Sequence, residues 1–285
     1  MLFPQRAGQE RAGQERAGRL ADLAVRALTA EALLTPKPAL VDQRGPGAHR
    51  DLDLSRLLRS AHALHGSFRT MAARAQARPP GLALREELGA AGRRAEACML
   101  EATGGSNAHR GAIWVLGLLI AALAGARTGE SLTRIGAIAA RLARFPDRHA
   151  PRLPSNGSRA CRRYGVRGAR GEAERGFPHV LLIGLPTLCE RRRRGGDERS
   201  ARLDALMAIM ASLEDTCLLH RGGWSAVAAA QRGAGRVLAR GGAATAAGRR
   251  ALLALDAELM RQHASPGGCA DLLAACLFLD DLQLQ

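Results

Sequence analysis

Apolar residues recur along most of the chain at the spacing of amphipathic α-helices. The clearest example places Leu54, Leu57, Leu58, Ala61, Leu64 and Phe68 on one helical face. Similar runs cover residues 20–34, 82–101, 109–125, 129–145, 200–219, 224–239, 247–263 and 270–282. Strand-favouring residues are scarce, with seven Val, six Ile and eight aromatics and no sustained alternation. The pattern predicts an all-α fold in one multi-helix domain over residues 19–285, with functional loops between the helices.

The first eighteen residues follow a different pattern. They contain RAGQE twice, at residues 6–10 and 11–15, and then RAG again. A five-residue repeat matches neither the helical nor the strand period, and its content is polar and rich in glycine. We expect residues 1–18 to be a disordered, low-complexity leader with no part in the chemistry.

The charge of the chain favours an anionic partner. Forty-two basic and 26 acidic residues give a net charge of +16, and Lys37 is the only lysine. One alternative is a non-enzymatic basic helical protein that binds nucleic acid, which would need a basic stripe on a helix face. The longest basic run, residues 191–194, lies instead at a helix end, and one Tyr and two Trp offer little surface for base stacking. We therefore expect phosphate-bearing small molecules as ligands and no specific nucleic acid.

The cysteines and the apolar stretches favour a cytoplasmic location. None of the six cysteines forms a CxxC pair, and no secretory signal is visible. The longest uncharged stretch, residues 111–126, has sixteen residues and is too short for a membrane span. A buried core helix is the prediction for this stretch, with reduced thiols and no membrane partner.

Polar and glycine-rich residues concentrate in five connectors between the apolar runs. These connectors cover residues 35–53, 101–113, 168–177, 214–224 and 265–274. Three of them contain a Gly-Gly pair near the start of an apolar helix, where backbone N–H groups favour anions. The neighbouring Arg110 and Arg221 are suited to phosphate oxygens. The alternative is that each Gly-Gly pair simply ends a helix, and neither a Walker A nor a GxGxxG pattern is present.

Carboxylates and histidines in the same connectors can supply further chemistry. The carboxylates are Asp42, Asp51, Asp53, Glu101, Glu172, Glu174, Asp215 and Asp271. Such hard oxygen ligands, together with phosphates, suit Mg²⁺. Any single one of them is more often a helix cap or a solvated charge, and Asp271 is a candidate for the cap of its own helix. A lone histidine is usually structural, but His109 and His220 each precede Arg-Gly, and two such units in one chain favour a functional role.

Taken in order, the connectors resemble a known family. The motifs TPKPALVD, EATGGSNAHRGAI, GARGEAERGF, DTCLLHRGG and SPGGCADLL are similar to those of triphosphoribosyl-dephospho-CoA synthases, over about residues 20–282. PKPAL and DTCLLHRGG resemble most the branch that serves malonate decarboxylase, because the citrate lyase branch typically has glycine at the position of Ala39. Cys269, which stands where a smaller residue is usual, and the RAGQE leader depart from the family pattern.

The resemblance implies a pentosyl transfer. ATP, as substrate, would donate its triphosphoribosyl group to the 2′-hydroxyl of 3′-dephospho-CoA, and adenine would leave. A separate transferase would then attach the product to the acyl-carrier subunit of malonate decarboxylase. The same reaction serving citrate lyase is one alternative, and a related glycosyl-transfer or nucleotide-hydrolysing enzyme with another acceptor is a second.

The implied reaction suggests roles for individual residues. Displacement at the ribose C1 passes through an oxocarbenium-like state, and the attacking hydroxyl needs a base. Phosphate binding is assigned to Lys37, Gly104, Gly105, Arg110, Arg221, Gly222, Gly223, Gly267 and Gly268. The catalytic candidates are Glu101, His109, Glu172, Asp215 and His220: His109 or His220 as proton carrier, and Glu172 as an equally acceptable base. Asp42, Glu101 and Asp215 are the candidates for Mg²⁺, with the oxocarbenium as an alternative role for them.

Overall fold

The computed structural model describes residues 3–151 and 153–283, with side chains from residue 11 onward. The α-helices are α1 (Phe3–Leu33), α2 (Leu54–Ala63), α3 (His65–Ala75), α4 (Leu82–Thr103), α5 (Arg110–Gly125), α6 (Leu132–Arg144), α7 (Asn156–Tyr164), α8 (Gly168–Glu174), α9 (Leu185–Arg193), α10 (Glu198–Met210), α11 (Thr216–Ala239), α12 (Ala246–Arg261) and α13 (Gly267–Gln283). A π-helical segment, His179–Gly184, precedes α9. Within the described ranges there is no β-strand, only an isolated bridge between Asp42 and Gly45. The predicted all-α fold is therefore confirmed.

Helix α5 lies at the centre of the core. Its residues 115–124 are all buried, because apolar side chains surround the whole helix rather than one face. Helices α1, α3, α4, α6 and α13 pack around it. The prediction of a buried core helix here is confirmed, and no helix in the described part of the chain has the length and hydropathy needed to cross a membrane.

The structure of the RAGQE repeat differs from the predicted disordered leader. Helix α1 already begins at Phe3 and includes the repeat, while residues 1 and 2 lie outside the described ranges. Ala, Arg, Gln and Glu are good helix formers, and they offset the cost of about 1 kcal/mol for each glycine. Tertiary contacts hold the end of the repeat, since Ala17 is buried and Arg16 Nη2 donates to the carbonyl oxygen of Leu123 at 2.7 Å.

Helix packing brings several helix ends to one side of α5. Helix α13 packs against α1, α5 and α10, and α11 packs against α7, α10, α12 and α13. As a result the end of α1 and the first turns of α5, α11 and α13 meet. The loop between α1 and α2, residues 34–53, lies against the same region, because Arg221 of α11 donates to the carbonyl oxygen of Ala48 at 3.2 Å. These segments form the candidate functional site.

Candidate functional site

Asp215 joins the start of α11 to the start of α13. It is the N-cap of α11, where Oδ1 accepts from the backbone N–H of Cys217 at 2.7 Å. Oδ2 accepts from the backbone N–H of Cys269 in α13 at 2.9 Å. The side chain is buried, and this burial raises the pKa of Asp215, although the backbone N–H groups act in the opposite direction. The fourth and fifth connectors thus meet at a buried carboxylate.

Asp271 faces the first turn of α5. A Cβ added to Gly111 would lie 1.9 Å from Asp271 Oδ2, so a side chain at position 111 would displace the carboxylate from its present position. Burial, followed by the charges of Asp215 and Glu31, raises the pKa of Asp271 well above its usual range. The interpretation of Asp271 as a helix cap is wrong, because α13 already begins at Gly267. The side chain instead brings the second connector to the fourth and fifth.

Lys37 forms a buried ion pair with Glu31 at the end of α1. Its Nζ lies 2.5 Å from Glu31 Oε1 and 2.7 Å from the carbonyl oxygen of the same residue. Both side chains are almost completely buried. Removing a buried charge from its partner is costly, so the ammonium group is held by Glu31 and is not free to bind a phosphate as predicted.

His109 lies buried at the start of α5 beside this ion pair. Its Nδ1 is 2.7 Å from Ser60 Oγ of α2, and its Nε2 has no hydrogen-bond partner among the described residues. Burial, and then the positive charge of Lys37, lowers the pKa of His109 to about 3. The imidazole is therefore neutral near pH 7, with one ring nitrogen available for a ligand.

Arg221 and His49 connect three of the five connectors at the edge of the cluster. Arg221 Nη2 lies 3.2 Å from His49 Nδ1, and His49 Nε2 lies 3.1 Å from Ser265 Oγ. Burial and the charge of Arg221 lower the pKa of His49 to about 4, while Asp51 acts in the opposite direction. Arg221 itself is exposed, so part of its guanidinium group can reach a ligand.

The third connector contacts this region, but its candidate base, Glu172, is paired with His179 instead. A Cβ on Gly168 would lie 2.9 Å from Thr216 Cγ2, which places the start of α8 against the start of α11. Both oxygens of the buried Glu172 are bound by His179, through its backbone N–H and its Nδ1, each at 2.8 Å. The structure gives Glu172 a role in joining α8 to the π-helical segment, and it shows no free carboxylate for the predicted base.

The end of α4 has an ordinary helix terminus. Gly104 and Gly105 have φ values of 66° and 94°, and their N–H groups cap the carbonyl groups of Glu101 and Leu100. The alternative that this Gly-Gly pair ends a helix is therefore the one the structure supports. The side chain of Glu101 is exposed, and Arg110 Nε is 3.0 Å from Glu96. These residues lie near His109 in sequence and outside the buried cluster.

The other two Gly-Gly pairs lie within helices. Gly267 and Gly268 begin α13, and a Cβ on Gly268 would lie 3.0 Å from Asp215 Oδ1. Gly222 and Gly223 follow His220 inside α11, where Gly223 has φ 63° and ψ −160° and kinks the helix. His220 is exposed, and its pKa is lowered by partial desolvation and by the charges of Arg159 and Arg221.

The three predicted Mg²⁺ ligands are not brought together. Asp42 accepts from the backbone N–H groups of Lys37 and Arg44 at 2.8 and 2.7 Å, and Glu101 lies exposed on α4. Among the described residues no three His, Cys, Asp or Glu side chains form a metal-binding group. Asp215 fits a cation better than the other two, because it is buried and no side-chain cation lies within 4.0 Å of it in the described ranges.

Sequence reasoning missed Glu31, Ser60 and Ser265 and left the role of Asp271 open. The sequence does carry a signal for two of them. Glu31 shares the apolar face of α1 with Ala24, Ala27 and Leu28, and Ser60 lies beside Leu57 and Ala61 on the buried face of α2. A polar residue on an apolar face is buried when its helix packs, so it needs a polar partner.

Buried acid–base side chains at the meeting point of several helix ends fit an all-helical enzyme. Residues 17–285 match the family described as ATP:dephospho-CoA triphosphoribosyl transferase (CitG). The chain belongs to this family, and the predicted pentosyltransferase of this family is thereby confirmed.

Individual relatives agree with the family match. A probable 2-(5''-triphosphoribosyl)-3'-dephosphocoenzyme-A synthase of Stutzerimonas stutzeri is 57% identical, over 93% of this chain and 91% of its own length. A protein of Pseudomonas fluorescens with the same name is 55% identical over the same shares. The 2-(5''-triphosphoribosyl)-3'-dephosphocoenzyme-A synthase of Klebsiella pneumoniae is 53% identical, over 92% of this chain and 93% of its own. No solved structure matches the chain.

Proposed function

We propose that this protein transfers the triphosphoribosyl group of ATP to the 2′-hydroxyl of 3′-dephospho-CoA and releases adenine. The family match and the names of the relatives support this reaction. The observation that carries the proposal is a pair of carboxylates, the buried Asp215 and the partly buried Asp271, at the meeting point of α5, α11 and α13. A glycosyl transfer needs a base and a negative charge near the ribose, and these two groups can provide both.

Asp271 is assigned as the base. Its raised pKa makes its carboxylate a stronger proton acceptor than an ordinary aspartate. The acceptor oxygen forms a bond to ribose C1 while the bond from C1 to adenine N9 breaks. The hydroxyl proton passes to Asp271, the bonding electrons leave with adenine, and adenine takes up a proton on a ring nitrogen. This assignment replaces Glu172, whose carboxylate is bound by His179.

Asp215 is assigned to the positive charge that develops on the ribose. Two backbone N–H groups fix its carboxylate in place, so the negative charge is already oriented before the substrate arrives. Asp215 would also hold Mg²⁺ together with substrate phosphates, and the ion would supply charge neutralisation for the triphosphate. Arg221, at the exposed edge of the cluster, is assigned to the phosphates.

His109 is assigned to substrate positioning. At neutral pH its imidazole has no extra proton to give, because its pKa is lowered to about 3. Its unpartnered Nε2 can form a hydrogen bond with a bound substrate. Of the two predicted proton carriers, the exposed His220 is better placed to exchange a proton with solvent.

The test is direct. The protein is incubated with ATP, Mg²⁺ and 3′-dephospho-CoA, and free adenine is separated by chromatography while the mass of the second product is measured. We expect adenine release that requires dephospho-CoA, and a product heavier than dephospho-CoA by one triphosphoribosyl group. Equal adenine release without dephospho-CoA would contradict the proposal and indicate hydrolysis or another acceptor.

We further propose that the product serves malonate decarboxylase, in the cytoplasm, and passes to a separate transferase for the acyl-carrier subunit. The sequences PKPAL at residues 36–40 and DTCLLHRGG at 215–223 support this branch over the one that serves citrate lyase. Neighbouring genes provide the test. We expect them to encode subunits of malonate decarboxylase, and citrate lyase subunits in their place would contradict this assignment.

A further inference from the structure

An exposed aromatic pair lies beside the kink in α11. Trp224 directly follows Gly223, and nearly half of its surface (46%) is open to solvent. Its ring meets that of Tyr164, at the end of α7, edge to face, with 6.3 Å between centroids and 83° between planes. The chain contains only one Tyr and two Trp, so two of its three largest aromatic side chains meet at this surface.

Cationic side chains surround the aromatic pair. The guanidinium carbon of Arg163 lies 5.2 Å from the centroid of the Tyr164 ring. Arg159 lies on α7, which packs against α11, and Arg221 lies three residues before Trp224; the charges of both lower the pKa of His220, so both are near this turn. Within the described ranges, none of these three arginines has a carboxylate oxygen within 4.0 Å, whereas many other arginines form ion pairs. The surface therefore holds positive charge that no acidic side chain neutralises.

The backbone at this surface has a conformation that only glycine adopts readily. Gly223 has φ 63° and ψ −160°, a region from which other residues are excluded by steric strain. A Cβ at this position would also lie 3.3 Å from the hydroxyl group of Tyr164. The kink divides α11 into residues 216–222 and 224–239. Trp224 is the first residue of the second segment, so the kink fixes its position.

This surface adjoins the buried Asp215. Helix α7 packs along α11, and a Cβ on Gly157 would lie 3.6 Å from Thr216 Oγ1, next to Asp215. Arg221 belongs both to this surface and to the cluster around Asp215. It contacts His49 of the cluster, and its charge lowers the pKa of His220 near the surface. A ligand bound on the aromatic pair would therefore extend toward the reaction centre.

We propose that Trp224 and Tyr164, with Arg159, Arg163 and Arg221, form a binding subsite for an adenine nucleotide. The base stacks on Trp224, and the arginines bind the phosphate chain. The inference rests on the proposed function, in which both substrates, ATP and 3′-dephospho-CoA, contain adenine and a phosphate chain. It adds a base-recognition site to that function.

Tryptophan emission gives a direct binding test. The other tryptophan, Trp114, lies on α5, where its Nε1 donates to the carbonyl oxygen of Ala169 at 3.2 Å. A Trp114→Phe variant therefore reports on Trp224 alone. The probes are ATP, 3′-dephospho-CoA and inorganic tripolyphosphate, which has no base to stack.

We expect saturable quenching by a nucleotide and none by tripolyphosphate. Quenching by ATP assigns the subsite to the donor, and quenching by dephospho-CoA alone assigns it to the acceptor. Either result supports the inference. Absence of quenching by both nucleotides, in a Trp114→Phe protein that releases adenine at the wild-type rate, would overturn it. If the wild-type protein releases no adenine, the proposed reaction fails, while the quenching result still decides the subsite.

Steady-state kinetics provide a second test that keeps both tryptophans. Trp224→Ala should raise KM for one nucleotide about tenfold, as expected from the loss of one stacked base, and change kcat little. Trp224→Phe should restore most of the loss, because it keeps an aromatic face. Leu253→Ala is the matched control, since Leu253 is an exposed apolar residue on α12. Unchanged KM values for both substrates in Trp224→Ala would contradict the subsite.

Discussion

At the scale of single residues, buried charge is the feature that most constrains this protein. Lys37 and Glu31 are an ion pair with almost no exposure, and Asp215 is buried with backbone N–H groups as its partners. A buried charge without a partner is strongly unfavourable, so each of these groups depends on a small number of contacts. Substitution of one member should therefore have a large effect.

The Lys37–Glu31 pair gives the first prediction. Lys37→Met leaves the buried Glu31 without its partner and should lower the free energy of unfolding by about 3–5 kcal/mol. The double variant Glu31→Gln/Lys37→Met removes both charges and should recover part of this loss. Urea denaturation of the wild type, the single variant and the double variant measures these free energies of unfolding. A single variant no less stable than the double variant would contradict the pairing.

The buried His109 gives a prediction about pH. Its pKa is lowered to about 3 in the folded protein, from an ordinary value of 6.5 in the unfolded chain. Between these values the unfolded chain binds more protons, so the stabilisation is complete above pH 6.5 and is lost as the pH falls toward 3. At pH 5 the loss from this one residue should be about 2 kcal/mol.

His109→Asn isolates this contribution, because asparagine keeps a polar atom near Ser60 and does not titrate. Urea denaturation at pH 7.5 and pH 5 should show the wild-type protein losing about 2 kcal/mol more than the variant. Equal losses in the two proteins would show that His109 is not a buried neutral imidazole in the folded protein.

At the scale of elements, the helical pattern identified the helices better than their ends. The run 109–125 corresponds to α5, and the run 129–145 to α6. The apolar face at 54–68 continues across two helices, because α2 ends at Ala63 and α3 begins at His65 without a change in the pattern. Likewise the run 200–219 includes the end of α10 at Met210 and the start of α11 at Thr216. Within this run only Asp215, the N-cap of α11, indicates the boundary. Periodicity records which face is buried, and it does not record where the chain bends.

The kink in α11 gives a prediction at this scale. Gly223→Ala should destabilise the protein by about 1–3 kcal/mol, because alanine at φ 63° and ψ −160° is strained. Gly235→Ala, in the same helix and with no atom within 4 Å of the added Cβ, should instead stabilise it by about 0.4–1 kcal/mol. Thermal denaturation compares the two variants. Equal effects would contradict the conformation of Gly223.

At the scale of the whole molecule, the packing of helices decides which predicted residues act together. The sequence identified five polar connectors, and four of them meet through the contacts of His49, His109, Asp215 and Asp271, with the third touching the start of α11. The relative positions of the connectors depend on long-range helix packing. The sequence therefore could not show that Asp215 lies at the site whereas the equally acidic Asp42, Glu101 and Glu172 do not. The structure separates them by what each carboxylate already binds.

Adenine release by carboxylate variants tests the central claim most directly. Asp271→Asn and Asp215→Asn should each lower the rate of adenine formation from ATP and dephospho-CoA by about 10² or more, because the base and the fixed negative charge are lost. Glu214→Gln is the matched control, since Glu214 is the exposed neighbour of Asp215 and should leave the rate unchanged. Near-normal adenine release by folded Asp271→Asn and Asp215→Asn proteins would contradict a reaction centre built on these two carboxylates.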